Sequence, residues 1–161
     1  MRLRYSIALI AAALLVTGPL AARADTGFSV SLDGLQVTPP NASPATGSGT
    51  LVIDNAQTQV TYSINYSGLT GTRSAQHIHG PGAPGVPAGV VLPLSATGTT
   101  SGLVSGVAAI TATVIGYMVA GTAYVNIHSS TFPGGEIRGQ IQMNATPARP
   151  TTWGRIKRLY R

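Results

Sequence analysis

The chain of 161 residues holds three histidines, His77, His79 and His128. They lie in two short stretches, Gln76-His77-Ile78-His79-Gly80 and Tyr124-Val125-Asn126-Ile127-His128. Both stretches read as strands, and a strand sends alternate side chains to opposite faces. His77 and His79 therefore share a face, with Ile78 turned to the core. Asn126 and His128 share another, opposite Val125 and Ile127. If the two strands are neighbours, three imidazoles and an amide gather on one patch, because facing side chains of paired strands lie about 4.5–5.5 Å apart at Cβ. Three neutral imidazoles suit Zn(II), Cu(II) or Cu(I), with a position left for water or a substrate. The other reading is structural. Histidines at strand ends hydrogen-bond loop backbone, and the turn Gly80-Pro81-Gly82-Ala83-Pro84-Gly85 supplies free carbonyls.

The stretch Glu136-Ile137-Arg138-Gly139-Gln140-Ile141 alternates as well, with Glu136, Arg138 and Gln140 on one face. Glu136 reads as half of an ion pair with a nearby arginine that ties down the Phe132–Gly135 loop. The alternatives are an acceptor for a histidine N–H or a general acid–base group. Asn126, Glu136 and Arg138 are thus candidates for the outer shell of a metal or for structural roles. No Ser–His–Asp motif or pair of acids is present. The glycines of Gly80–Gly89 are interrupted by proline and open no helix, which excludes a dinucleotide loop. With no cysteine, the chain can have no disulfide scaffold, thiol nucleophile, Cys-ligated zinc or iron–sulfur cluster. No catalytic set is assigned, and the reading leans away from an enzyme.

The elements that must position these residues are mostly strands. Phe28, Val30 and Leu32 alternate with polar neighbours; Thr50–Ile53 is a short apolar run; Val60–Tyr66 alternates strictly. Further strands are expected at Gln76–His79, Val90–Leu94, Leu103–Ala108, Thr122–His128 and Glu136–Met143, and a loop over Pro39–Ser48. One helix is expected, from the apolar spacing of Ile110, Val114, Ile115, Met118 and Val119. Thr111 can cap its start, and Gly121 suits its end. Glycine and proline total 31 residues, about 19 %, short of the about 25–30 % that marks disorder. The fold expected is all-β: an antiparallel β-sandwich or Greek-key barrel-like domain with one short helix.

Residues 1–24 read as a secretory signal. Arg2 and Arg4 precede an apolar run, Tyr5–Val16, and Ala22-Arg23-Ala24 is a small-x-small cleavage site. That run is shorter than the about 20 residues of a membrane-spanning helix. The domain is expected over 25–146, and a basic tail over 147–161. The formal charge of +6 is unevenly spread. The signal carries +3, the tail +5, and the body between them −2. The high isoelectric point therefore does not belong to the domain, and no nucleic-acid partner is expected. Trp153, Ile156 and Tyr160 interleave with basic residues. They make the tail either a frayed terminus or a short amphipathic piece in weak contact with anionic lipid. The compartment expected is periplasmic or secreted.

Several of these segments resemble the CHRD domain, named for its repeats in chordin and also found singly in exported bacterial proteins. The pieces that carry the resemblance are Leu32-Asp33-Gly34-Leu35-Gln36, Pro39-Pro40, Ala45-Thr46-Gly47, Ala75-Gln76-His77-Ile78-His79-Gly80-Pro81, Tyr124-Val125-Asn126-Ile127-His128 and Pro133-Gly134-Gly135-Glu136-Ile137-Arg138-Gly139-Gln140-Ile141. They run in family order from about Phe28 to Met143. An acid that often follows the family's glutamine is replaced here by Val37 and Thr38, so no role is carried over for it. The resemblance implies a β-sandwich-like domain outside the cytoplasm and, as in chordin, a binding role.

Two functions follow as expectations. The first is an exported, non-enzymatic CHRD-type binding module, whose histidines hold loop geometry and whose partner the residues do not name. The alternative is a periplasmic copper- or zinc-binding protein using His77, His79 and His128. A redox enzyme on that same site is a third and weaker option.

Overall fold

The computed structural model describes residues 25–94 and 98–144. The expected signal segment and basic tail lie outside the described residues. Among the described residues there are nine strands: β1 (Thr26–Asp33), β2 (Thr46–Ile53), β3 (Gln59–Ser67), β4 (Arg73–His79), β5 (Val90–Pro93), β6 (Gly102–Ala109), β7 (Tyr124–Ser129), β8 (Ile137–Gln140) and β9 (Gln142–Met143). A 3-10 turn (Gly34–Gln36) follows β1, and a helix, α1 (Ala112–Val119), precedes β7. Every pairing is antiparallel. The strand order is β5-β4-β7-β8-β1-β2-β3-β6, with β9 beside β1, and the sheet curls into a half-barrel. The all-β, antiparallel expectation is met.

Alternation decides which face turns inward. In β3, Val60, Tyr62, Ile64 and Tyr66 are buried, while Thr61, Ser63 and Asn65 are exposed. Phe28, Leu51, Ile78, Val125, Ile127, Ile137 and Ile141 join them in one core. Fully burying such a side chain is worth about 1.5–3 kcal/mol. The helix packs Val114, Ile115 and Met118 against that core. Thr111 Oγ1 accepts from Val114 N at its start. At its end Gly121 takes φ +68°, Gly121 N donates to Met118 O, and Thr122 N donates to Tyr117 O. This is the paired capping pattern that needs a left-handed residue after the last turn.

Some boundaries differ from the sequence reading. The loop expected to reach Ser48 ends at Ala45, because β2 begins at Thr46. The inward positions of its first half are Gly47 and Gly49, which carry no side chain to show the alternation. At Gly49 a Cβ would stand 2.6 Å from Ile64 Cα, so the two strands close up over a glycine. β7 starts at Tyr124, since Thr122 is engaged in ending α1. The strand expected over Glu136–Met143 is broken into β8 and β9 at Ile141, whose N–H donates to Ala123 O.

Candidate metal centre

β4 lies between β5 and β7, so its outer face has neighbours on both sides. Ile78 is fully buried, which turns His77 and His79 to the opposite face. The register with β7 sets His77 against Asn126, His79 against Tyr124 and Ala75 against His128. His128 therefore sits diagonally from His77. One ring nitrogen from each of the three histidines lies within 4.8 Å of the others. His77 Nδ1 and His128 Nε2 are 3.3 Å apart. Two ligand nitrogens on a tetrahedral ion with bonds of about 2.0–2.1 Å would be separated by about 3.3–3.4 Å.

Two backbone carbonyls orient the rings. His79 Nδ1 is 2.9 Å from Ala88 O, and His128 Nδ1 is 2.8 Å from Pro133 O. A carbonyl only accepts, so Nδ1 carries the proton in both rings and each Nε2 presents a lone pair. His79 Nε2 is buried and has no hydrogen-bond partner among the described residues. Burial, then the charges of His128 and His79, lowers the His77 imidazole below its usual value of 6.5. Burial also lowers His79, against the opposing hydrogen bond that it donates to Ala88 O, with His128 and Arg138 adding to the fall. Both shifts favour the neutral ring, the form that binds a metal ion.

The loops that bring those carbonyls are themselves anchored. Tyr124 Oη accepts from Ala88 N at 2.9 Å and donates to Ala88 O at 3.3 Å. The Tyr124 ring stacks on His79, and the Arg138 guanidinium lies over its ring, 3.5 Å from the centroid. Arg138 also donates to Thr38 Oγ1, Ala83 O and Gln140 Oε1. Burial lowers the Arg138 guanidinium, but a group with so high a usual value stays charged. Asn126 Nδ2 donates to Gly134 O, and its amide packs on Gly135, which takes φ +124°. Asn126 thus holds the turn that carries Pro133 O.

Glu136 is elsewhere. It is fully buried, and its Oε1 accepts from Ser43 Oγ at 2.6 Å and Thr70 N at 2.7 Å. The ion pair expected for it is replaced by hydroxyl and amide donors. Among the described residues the only Lys or Arg side chains are Arg73 and Arg138, and Arg138 is engaged at Tyr124. Burial raises the Glu136 carboxyl, but hydrogen bonds from Ser129, Ser43 and Thr70 outweigh that and hold it below its usual value. The acceptors for histidine N–H are the Ala88 and Pro133 carbonyls, so Glu136 does not serve there. Sequence reasoning passed over Tyr124, although period-two alternation puts it on the face of Asn126 and His128. No side-chain signal marks the two carbonyls.

The family model of the CHRD domain matches residues 28–141. No curated protein and no solved structure matches the chain.

Proposed function

We propose that this chain, which belongs to the CHRD-domain family, is an exported binding module that holds a copper or zinc ion on His77, His79 and His128. CHRD membership supports a binding role. One observation carries the metal reading: the two N–H···O=C bonds leave Nε2 lone pairs converging on one spot, and the buried His79 Nε2 has no protein partner. Leaving such a group unpaired is costly unless something else binds it. Three imidazoles supply three ligands, and a fourth position is free for water or another donor. An all-nitrogen set with no thiolate or carboxylate suits Zn(II) and both copper states.

The second reading, histidines that only hold loops, is favoured by the same bonds to Ala88 O and Pro133 O. A titration separates the two. Protein stripped with a chelator is titrated with Cu(II) and Zn(II), and native mass spectrometry reads the stoichiometry. The metal reading expects one ion per chain, saturating at or below micromolar metal, and loss of binding in His128→Ala. Absence of saturable binding at micromolar metal, with the variant losing only thermal stability, would leave the loop-holding reading.

A further inference from the structure

β6 forms one rim of the sheet. It pairs with β3 along its whole length, from Gln59↔Ala109 to Tyr66↔Gly102, and no strand covers its other side among the described residues. Folded proteins blunt such rims with charges, prolines, bulges or short strands, because the free N–H and C=O groups recruit another strand. The opposite rim is blunted. β5 has four residues, ends on Pro93, and pairs with β4 through a register shift between Ile78 and His79. β6 has none of these devices: it is eight residues long, has no charge and no proline, and keeps unbroken register with β3. Its outward row is Leu103, Ser105, Val107 and Ala109, with Leu103 51 % and Val107 59 % exposed. The outward residues beside it on β3, Thr61, Ser63 and Asn65, are also uncharged.

We propose that β6 joins two copies of this chain, paired antiparallel about a two-fold axis through Ser105. In such a pair the numbers of opposite residues have a constant sum, and an even sum keeps the outward faces of both copies together. Centring on Ser105 sets Leu103 of each copy against Val107 of the other, so both exposed aliphatic side chains of each copy are covered. Centring on Val104 or Gly106 sets Leu103 or Val107 against Ser105 and leaves them uncovered. The absence of charge along the strand means that bringing the copies together opposes no like charges.

Sedimentation velocity on protein purified from its producing cells, over about 1–200 µM, tests this. The expected result is a concentration-dependent dimer. Leu103→Lys with Val107→Lys sets lysine against lysine and weakens the dimer about tenfold or more. Leu103→Lys with Val107→Glu sets opposite charges face to face and restores it. Both side chains are more than half exposed, so thermal melts are expected to match the parent. Ser105→Lys, in the same outward row, gives a second disruption should the double lysine variant fold poorly. A parent that stays monomeric throughout overturns the proposal. So does a dimer indifferent to the lysines, or the same behaviour in the two double variants.

Discussion

Tyr124 lies flat against His79, with ring centroids 5.0 Å apart and planes 6° from parallel, while its hydroxyl engages both backbone groups of Ala88. Ala88 O is also the acceptor for His79 Nδ1. One tyrosine therefore sets a histidine from two directions: by its face directly, and by its hydroxyl through the loop.

Tyr124→Phe separates these two actions. The stack survives, but Ala88 N loses its partner. The expected cost is about 1 kcal/mol of stability, for the loss of one hydrogen bond to a half-buried donor. Metal affinity is expected to fall about tenfold, the scale seen when an outer-shell support is removed. Chemical denaturation and a competitive chelator titration measure the two effects. A variant with unchanged affinity would show that the loop carbonyl does not set the ring.

Acid should unfold the metal-free protein in two stages. His77 and His79 are held below 6.5 in the fold, so the unfolded chain takes up protons first as pH falls. Stability from these groups is therefore complete above the ordinary histidine range and declines below it, down to the lowered folded values. Glu136 is held below its usual 4.5. Its contribution is present above the ordinary carboxylate range and is lost as pH falls through its lowered value. Melting temperatures recorded from about pH 8 to pH 3 should fall first below the histidine range and again below the carboxylate range. Glu136→Gln should reduce the second stage and cost about 1–3 kcal/mol near neutrality.

The turn behind His128 depends on a glycine. Gly135 has φ +124°, and a Cβ there would stand 2.8 Å from Asn126 Cγ. Gly135→Ala should cost about 1–3 kcal/mol in backbone strain alone. It should also move Pro133 O off His128 Nδ1 and weaken metal binding more than Tyr124→Phe does. Parallel melts and chelator titrations of the two variants compare them directly.

Gly49→Ala tests a site remote from the histidines. Its Cβ would meet Ile64 Cα at 2.6 Å across the β2–β3 pairing. Backbone yields poorly, and overpacking of this kind costs about 1–3 kcal/mol. Affinity for metal should not change, because the overpacked pair lies on β2 and β3 while the histidines lie on β4 and β7. A lowered melting temperature with unaltered titration is the expected outcome.

The residues alone determined much of the local structure. Period-two alternation assigned the faces of Val60–Tyr66, of His77 and His79, and of Asn126 and His128. The Thr111 and Gly121 positions bounded the helix, because capping is settled by residues within a few positions of each other. Alternation also misled in places. Glycines hid the first half of β2. Glu136 was read in line with Arg138, yet it is turned to Ser43 and Thr70. Only the tertiary structure decided that β4 lies beside β7, and in a register that sets His128 diagonally from His77. Pairing between strands so far apart in the chain follows from burial summed over the whole sheet, which no short window contains. The same is true of the Ala88 and Pro133 carbonyls. Every residue has a carbonyl, and only the fold says which ones face an imidazole.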